Sequence, residues 1–346
     1  MRLLSITAMR NEGPFLLEWL AYQRLIGFTD FLIFSNDCDD GTDLMLDALA
    51  AEGIVTHIRH SRPAEKSVQW QALNLAWRHP LRKAADWALF SDVDEFLRID
   101  LGSGTLPELL ASLPPEAAAI ALPWRLFGTG RQHRFEDRPI TQSFLSAAPY
   151  PLIHPIAGSY FKTLLRPSAF RAFGVHRPKR RKETAAPLWL NADLTPMSAA
   201  FAEADQRISL VGLHPAQPQL ELHHYSLRSI ESFIVKRARG LANRSVKTID
   251  LSYFVERNFN SEPNTAMQRW AGPLAAEIAA LKSLPQLAEL HEAACQRHRE
   301  TFAEAITQID GFTLYAHCRH AGDSLALPPD EARKMLQAFQ NVTWTR

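Results

Sequence analysis

The clearest pattern in this chain is the sequence Asp-Trp-Ala-Leu-Phe-Ser-Asp-Val-Asp-Glu-Phe-Leu at residues 86–97, in which a short apolar run ends in two acids separated by one residue. Side chains alternate between faces on an extended chain, so Asp92 and Asp94 are expected to project the same way, roughly 6.6 Å apart along the strand axis. Two carboxylates so placed could hold Mg²⁺ or Mn²⁺, which completes its shell with water and phosphate oxygens. A strand end that only contacts solvent is the alternative.

The pattern around this stretch predicts the class of fold. Over the first hundred residues, strand-like and helix-like segments alternate with short links, which is typical of an α/β fold with a mostly parallel sheet flanked by helices. The predicted strands are residues 3–8, 31–34, 54–58 and 87–90. The predicted helices are residues 14–26, residues 42–52 with Thr42 as N-cap, and residues 66–79.

Beyond residue 100 the sequence becomes irregular and rich in proline. The strands predicted there are residues 117–122, 160–165 and 220–222. The helices predicted there are residues 231–241 and 266–284, with more helical sequence to residue 308. We therefore expect an α/β domain over residues 1–240 and a mainly helical C-terminal region over residues 241–346 that packs on it.

The composition argues against several classes of protein. A net charge of +1 over 346 residues gives no polyelectrolyte character, so a nucleic-acid partner is not implied. Cys38, Cys295 and Cys318 are odd in number, widely spaced and match no ligand pattern, which favours reduced thiols over a disulfide framework or a zinc site. The sequence contains no signal-peptide or membrane-span pattern, so we expect a cytoplasmic protein.

Polar residues follow each of the four strands predicted in the first hundred residues. They are Arg10, Asn11 and Glu12 after the first strand, Asn36, Asp37, Asp39 and Asp40 after the second, Arg59 and Lys66 after the third, and Asp92 and Asp94 after the fourth. Ligands of such sheets bind beyond the carboxyl ends of the strands. We therefore expect these side chains to meet at one edge of the sheet and to form a binding site.

Several short motifs follow one another along the chain. They are Thr-Ala-Met-Arg-Asn-Glu at 7–12, Glu-Trp-Leu at 18–20, Asn-Asp-Cys-Asp-Asp-Gly-Thr at 36–42, Asp-Val-Asp-Glu-Phe at 92–96, Trp-Arg-Leu-Phe-Gly at 124–128, Phe-Lys-Thr-Leu-Leu-Arg-Pro at 161–167, and His-Tyr-Ser at 224–226 followed by Lys236 and Gly240. This ordered set, over about residues 1–240, resembles glycosyltransferases of the family 2 and family 92 type. The resemblance implies a GT-A fold and the transfer of a sugar from a nucleotide-diphosphate donor with Mn²⁺ or Mg²⁺.

The resemblance also implies roles for individual residues. Asp92 and Asp94 bind the metal that bridges the donor diphosphate, and Asp94 thereby takes part in catalysis. The residues expected to bind the donor are Thr7, Arg10, Asn11, Glu12, Asn36, Asp37, Asp40, Lys66 and Asp92. The aspartates after the second strand have a structural alternative, because Asp forms turns and pairs with helix N-termini without any ligand.

Two histidines are further candidates. His224 follows a predicted strand, and the resemblance makes it a candidate third metal ligand, with a local packing role as the alternative. His176, in Phe-Gly-Val-His at residues 173–176, matches a Gly-x-His element of the similar sequences and is the candidate base for the acceptor's hydroxyl proton. Asp137 and Glu183 are rivals for that role.

The acceptor is expected to be a glycan or a lipid-linked molecule. Residues 177–182, Arg-Pro-Lys-Arg-Arg-Lys, form the most concentrated charge in the chain. Such runs are usually solvated loops, but this one could attract a phosphorylated or lipid-linked acceptor, or contact the inner face of an anionic membrane. Trp124, Phe127 and Gly128 are candidates for an acceptor platform or, alternatively, for a buried aromatic cluster.

The sequence thus predicts a metal-dependent glycosyltransferase that moves a sugar from a UDP-sugar to an acceptor hydroxyl with inversion. A sugar-nucleotide nucleotidyltransferase is one alternative, since it shares an α/β core and acidic metal ligands. Arg-Asn-Glu-Gly-Pro at residues 10–14 disfavours it, because that class usually has a Gly-rich basic loop there. A catalytically inactive relative that only binds nucleotide or glycan is the other alternative, and the intact acidic pair argues against it.

Overall fold

The computed structural model describes residues 1–61, 67–240 and 249–340. Its strands are β1 (Leu3–Met9), β2 (Asp30–Ser35), β3 (Thr56–Arg59), β4 (Trp87–Phe90), β5 (Glu95–Ile99), β6 (Ala117–Leu126), β7 (Ser146–Ala147), β8 (Phe161–Leu165), β9 (Phe170–Ala172), β10 (Lys179–Arg180), β11 (Leu188–Leu190), β12 (Leu220–His224) and β13 (Glu262–Pro263). Its α-helices are α1 (Gly13–Leu25), α2 (Thr42–Ala51), α3 (Val68–Arg78), α4 (Pro80–Ala84), α5 (Leu106–Ala111), α6 (Ile140–Ser143), α7 (Ala199–Glu203), α8 (Ile230–Arg239), α9 (Leu251–Val255), α10 (Ala271–Lys282), α11 (Leu287–Ala305), α12 (Ile309–Ala321) and α13 (Pro329–Gln340). Short 3-10 helices occupy Ile156–Ser159, Pro167–Ala169 and Ala266–Trp270.

One large sheet organises the fold. Among the described residues its strands follow the order β3-β2-β1-β4-β8-β6-β12-β5, and β11 adds to β6. β1, β2, β3 and β4 are mutually parallel, and so are β6, β11 and β12, whereas β8 and β5 run antiparallel to their neighbours. Because β8 reverses direction between β4 and β6, both parallel sets point the same way. Their carboxyl ends therefore meet at one edge of the sheet.

The sheet is apolar on both faces because helices cover both of them. In β2, Phe31 and Ile33 pack into a core formed with α1, α2 and α10, whereas Leu32 and Phe34 pack into a second core with α3. Side chains alternate between the faces of a strand, so an apolar strand needs cover on each face. The predicted class, an α/β fold with a mostly parallel sheet flanked by helices, is confirmed.

The predicted N-cap of the second helix is wrong by one residue. Gly41, at a φ of 84°, occupies the N-cap position, and Thr42 begins α2. The Thr42 hydroxyl donates to Asp40 at 2.6 Å and accepts from the backbone N–H of Glu12 at 2.9 Å. Thr42 therefore joins the two loops that precede α1 and α2 instead of capping α2.

The helix predicted over residues 266–284 is divided in two. A 3-10 helix ends at Trp270, and α10 begins at Ala271. Pro273 explains the break, because a proline inside a continuous helix would clash with the preceding turn and remove a hydrogen bond. In the first turn of a new helix its missing N–H has no cost.

The C-terminal helices pack against the first half of the chain. α10 and α11 contact α1, and α11 also contacts α2 and α8. Leu281 of α10 and Ala294 of α11 belong to the same core as Trp19 of α1. The division at residue 240 and the cytoplasmic location stay predictions. Within the described ranges, every helix is too short or too polar to cross a bilayer.

Gly13→Ala tests the close contact between α1 and α11. A Cβ at Gly13 would lie 2.6 Å from the Cβ of Ala294, well inside van der Waals contact. We expect this substitution to lower the free energy of unfolding by about 1–3 kcal/mol, measured by urea denaturation. In the matched control Gly272→Ala, the new Cβ in α10 meets nothing within 4 Å, so stability should stay equal or rise by up to about 1 kcal/mol. An unchanged transition for Gly13→Ala would contradict the packing described.

Candidate active site

Residues from several strands meet at the carboxyl edge of the parallel strands, hereafter the rim. β12 ends there with His224, while antiparallel β8 and β5 begin there, with Lys162 as the second residue of β8 and Glu95 as the first of β5. His224 and Glu95 are paired in register. Asp92 and Asp94 lie between β4 and β5 at this same edge. The structure therefore brings the acidic pair and His224 together, as the sequence predicts.

The acidic pair lies in a turn and not on an extended strand, so the predicted strand geometry is wrong. β4 ends at Phe90, and residues 93–94 form a turn before β5 begins. The backbone N–H of Asp92 donates to the Glu95 carboxylate at 2.9 Å, and the N–H of Glu95 donates to the Asp92 carbonyl at 3.1 Å. The Asp92 side chain is 36% exposed and that of Asp94 only 9%, so only Asp92 faces solvent freely.

Each carboxylate of the pair contacts a buried lysine. The Lys162 ammonium lies 3.1 Å from Asp92 Oδ2 and 3.5 Å from Glu95 Oε2. The Lys236 ammonium, which comes from α8, lies 2.9 Å from Asp94 Oδ2. Burial alone would lower the pKa of both lysines, but the neighbouring carboxylates keep each pKa above its ordinary value. Two charged lysines are therefore held at the rim.

His224 lies on the other side of Asp94. Its Nε2 is 3.6 Å from Asp94 Oδ1, and its ring lies 4.2 Å from the Trp124 ring, centroid to centroid. Burial lowers the pKa of His224 to about 3, so the ring is neutral and can offer a lone pair to a metal. Burial would raise the pKa of Asp94, but Lys236, His224 and Arg228 together outweigh it and hold that pKa well below its usual range.

The residues present fit a divalent cation. Such a cation needs ionised carboxylates and a neutral histidine, and Asp94 and His224 are in those states. Asp92 adds a partly exposed carboxylate beside which water and substrate oxygens could complete the shell. Within the described chain, the potential ligand atoms of Asp92, Asp94 and His224 do not all lie within 4.8 Å of one another. A cation bound by all three therefore requires a local adjustment of these side chains.

Glu95 is a fully buried carboxylate behind the pair. Burial raises the pKa of Glu95 to about 8, and the charges of Asp92 and Asp94 act in the same direction, against Lys162. Its Oε1 has no hydrogen-bond partner among the described residues, while its Oε2 accepts from the turn. Glu95 therefore holds the backbone of the acidic turn in place.

The loop after β1 is held by buried ion pairs. One oxygen of Glu12 accepts from Arg228 at 2.9 Å, and the other contacts Arg239. Arg239 also donates to the Arg10 carbonyl at 2.8 Å, and Arg10 donates to the Arg239 carbonyl at 3.2 Å. Arg10 and Glu12, which the sequence predicts as donor-binding, thus have protein partners that shape the loop. Their contact with a donor stays a prediction.

The loop after β2 is joined to the loop after β1. Asp40 accepts from the N–H groups of Gly13 at 3.1 Å and of Thr42 at 2.9 Å, and burial raises the pKa of Asp40. Asn11 contacts the Asp39 carboxylate and accepts from the Asp39 N–H at 3.0 Å. These contacts are the structural alternative foreseen for the aspartates of this loop. The donor-binding roles of Asn11 and Asp40 stay predictions.

Five predicted donor-binding positions remain, including Asp92 at the rim. Asn36 is buried and donates to the exposed carboxylate of Asp37 at 3.1 Å. Thr7 in β1 is buried, and its hydroxyl has no hydrogen-bond partner among the described residues. Lys66 lies outside the described residues. Asp37 therefore presents an exposed carboxylate beside the rim.

His176 lies beside Trp124 and Tyr160, with 5.4 Å between its ring centroid and each of theirs. Its Nδ1 is 2.9 Å from the Phe161 carbonyl, which can only accept, so Nδ1 carries the hydrogen and Nε2 the lone pair. Burial, together with the charge of Lys162, lowers the pKa of His176 to about 3. The ring is neutral but a weak proton acceptor, and its role as the base stays a prediction.

The rival bases and the aromatic platform are placed differently. Asp137 pairs with His291 and Lys282 of the C-terminal helices, and Glu183 lies in an exposed turn. Phe127 is buried against Tyr225, with ring centroids 4.4 Å apart. Phe127 therefore belongs to a buried aromatic cluster, which was the alternative to an acceptor platform. The ring of Trp124 lies between those of His224 and His176.

The basic run at residues 177–182 is only partly exposed. Arg177 is buried, donates to two carbonyls of α7 and lies 4.3 Å over the Trp189 ring. Pro178 is buried as well, and the fully exposed charges are Arg181 and Lys182. The run is therefore not a fully solvated loop, because its first two residues are buried. Its contact with a membrane or an acceptor stays a prediction.

The sequence prediction did not identify Lys162 and Lys236 as partners of the acidic pair. A signal was available for Lys162, which stands in the apolar segment Phe-Lys-Thr-Leu-Leu of a predicted strand. Lysine is almost never fully buried unless it is paired, so a lysine within such a strand indicates a carboxylate partner. For Lys236, on an amphipathic helix with several basic residues, no comparable signal exists.

The fold and the rim together define a class of protein. A mostly parallel α/β sheet carries at its carboxyl edge an acidic pair, a neutral histidine and two lysines, which are groups that suit a metal and a diphosphate. A model of glycosyltransferase family 92 matches residues 5–194, more than half of the chain. The chain belongs to glycosyltransferase family 92, as the motif resemblance predicts.

Curated relatives carry the same family name. A glycosyltransferase family 92 protein of Oryza sativa subsp. japonica is 28% identical over 166 residues, which cover 47% of this chain and 26% of that protein. Another, of Ricinus communis, is 32% identical over 96 residues, which cover 28% of this chain and 17% of that protein. The chain thus matches about a quarter or less of the length of these relatives.

Solved structures give a weaker similarity. S. aureus TarS 1–349 is 13% identical, with a TM-score of 0.35, over 88% of this chain and 90% of that one. A putative glucose-1-phosphate thymidylyltransferase from Bacillus anthracis is 11% identical, with a TM-score of 0.28, over 48% of this chain and 72% of that one. The assignment of the fold class rests on the sheet itself.

Lys162→Met tests the pairing of buried charges at the rim. The substitution keeps most of the side-chain volume but leaves Asp92 and the buried Glu95 without their common partner. We expect it to lower the free energy of unfolding by about 3–5 kcal/mol in urea denaturation without added metal. The control Lys182→Met changes an exposed lysine and should stay within about 0.5 kcal/mol of wild type. Equal stability of the two variants would contradict the pairing.

Proposed function

We propose that this protein is a glycosyltransferase that moves a sugar from a UDP-sugar to a hydroxyl of a glycan or lipid-linked acceptor, with a divalent metal and with inversion. The observation that supports it most is that His224 lies 3.6 Å from Asp94 at the rim of a family 92 chain, with Asp92 in the same turn. The choice of UDP, the metal and the inversion rest on the family resemblance.

Asp92, Asp94 and His224 would hold Mn²⁺ or Mg²⁺. When bound, the cation neutralises the charge that develops on the leaving nucleoside diphosphate, a Lewis-acid role worth several kcal/mol. Lys236 helps to keep Asp94 ionised before a ligand arrives, and Lys162 pairs with Asp92. The ammonium groups of Lys162 and Lys236 would lie close to the diphosphate of a bound donor and could bind its oxygens.

The donor nucleotide would lie along the loops after β1 and β2. Asn36 and Asp37 are proposed to bind its base and ribose, and Lys66 one of its phosphates. The other proposed donor residues act mainly through the backbone, because their side chains hold the loops together; they are Arg10, Asn11, Glu12 and Asp40. Thr7, whose buried hydroxyl has no hydrogen-bond partner in the described part of the chain, would support the floor of the site.

The acceptor hydroxyl would approach beside Trp124 and His176. An indole face suits the apolar face of a sugar ring. Nε2 of His176 can accept a hydrogen bond from the hydroxyl and so direct its oxygen toward the sugar carbon. Because His176 is a weak base, it would take the proton only late in the transfer, when the hydroxyl oxygen has begun to bond to the sugar.

Asp94→Asn keeps the shape of the side chain and removes the charge that a cation needs. We expect metal-dependent turnover of the best UDP-sugar to fall at least about a hundredfold, which corresponds to the loss of several kcal/mol of transition-state stabilisation. The control Asp100→Asn lies at the opposite edge of the sheet, where the side chain is 65% exposed, and should keep wild-type turnover. Full activity of Asp94→Asn, or of the wild-type protein in excess chelator, would refute the metal-dependent mechanism.

If the metal and the nucleotide bind together at one site, their effects on the melting temperature, Tm, should be cooperative. A ligand specific for the folded state raises Tm. We expect Mn²⁺ and UDP together to raise the Tm by more than the sum of their separate effects, because one cation would join the carboxylates and the diphosphate. The same measurement with Mn²⁺ and GDP shows whether the site prefers uracil or guanine as the nucleotide base. Strictly additive shifts, or shifts that persist in Asp94→Asn, would contradict a shared cation.

A further inference from the structure

A second cluster of potential metal ligands lies away from the rim. His291 and Cys295 stand one turn apart on α11, and Asp137 comes from the segment just before α6. Nε2 of His291 lies 2.9 Å from Asp137 Oδ1 and 3.6 Å from the Cys295 sulfur, and all three ligand atoms are within 4.8 Å of one another. His291 and Cys295 are buried, while Asp137 is partly exposed.

The spacing of these three atoms matches a tetrahedral zinc site. With Zn–N and Zn–O bonds of about 2.1 Å and a Zn–S bond of about 2.3 Å, tetrahedral ligands lie about 3.4–3.6 Å apart. The nitrogen–sulfur separation already has this value, and the nitrogen–oxygen separation needs to open by a few tenths of an ångström. A single ring nitrogen cannot make separate linear hydrogen bonds to a carboxylate and to a sulfur. A metal ion placed between the three atoms could be bound by all of them.

The chemistry of the ligands also favours zinc over Mg²⁺ or Mn²⁺. Thiolate and imidazole are ligands of soft and borderline metals, whereas the rim offers mainly carboxylates. Zinc binding would displace the proton of the Cys295 thiol, because the thiolate is the form that coordinates a metal. Lys282 lies 3.5 Å from the second oxygen of Asp137, which leaves Oδ1 as a single ligand atom.

We propose that Asp137, His291 and Cys295 bind one zinc ion, with a water molecule in the fourth position. The ion joins α11 to the segment before α6. This segment is also held to α1, because the N–H groups of Ile140 and Thr141 donate to the buried Glu18 carboxylate at 2.6 and 2.9 Å. The zinc site would therefore link α11, through this segment, to α1. It is independent of the proposed transferase activity.

Zinc content and cobalt spectroscopy of the full chain test the site. After incubation with Zn²⁺ and extensive dialysis, we expect wild type to retain about one zinc per chain by mass spectrometry. Substitution by Co²⁺ should give a thiolate-to-metal charge-transfer band, which a carboxylate site such as the rim cannot produce. Cys295→Ser should lose the band and weaken zinc binding by more than the roughly 10–100-fold expected for a residue outside the ligand set.

The controls separate this site from other cysteines and from the rim. Cys318→Ser removes another buried cysteine, on α12, and should keep both the zinc and the band. Asp94→Asn should do the same, because it alters only the rim. Asp137→Asn provides a second loss-of-binding variant should Cys295→Ser fail to fold. Wild type without zinc, or a band that survives in Cys295→Ser or disappears equally in Cys318→Ser, would overturn the proposal.

Discussion

The pairing of buried charges at the rim is the constraint on which the rest of the site depends. An ammonium or a carboxylate removed from water is costly unless a partner of opposite charge lies close by. β8 must therefore bring Lys162 to Asp92 and Glu95, and α8 must bring Lys236 to Asp94. Because β8 runs antiparallel to β4, its second residue reaches the edge where β4 ends. The antiparallel direction of β8 thus places Lys162 beside its carboxylate partners, and this pairing of charges in turn stabilises the arrangement of the sheet.

A second buried network joins the same parts of the chain. Glu12, after β1, contacts Arg228 before α8 and Arg239 at the end of α8. The loop after β1 and the helix that carries Lys236 are consequently fixed relative to each other. Such preorganisation would favour the proposed binding of a diphosphate, because the polar groups of the site would need little further ordering when the ligand arrives.

The strands were predicted well where their amino-acid composition is compatible with only one kind of structure. β1, β2 and β4 are short, mainly apolar runs between polar links, and apolar residues on both faces of a strand require a covered sheet. The errors arose where particular side-chain contacts override the pattern of the sequence. The acidic pair lies in a turn because Glu95 bonds back to Asp92, and Arg177 leaves the charged run because aromatic rings of Trp189 and Phe201 cover it.

The sequence by itself determined the fold class, the family and the edge of the sheet where the acidic pair lies, because alternating apolar segments and ordered motifs are local properties of the chain. Only the tertiary structure decided which charges neutralise one another. Lys162 is 70 residues from Asp92, and Lys236 is 142 residues from Asp94. Such pairs form because burying an uncompensated charge in the folded molecule is costly. That cost depends on contacts between distant segments, so no local stretch of sequence reveals it.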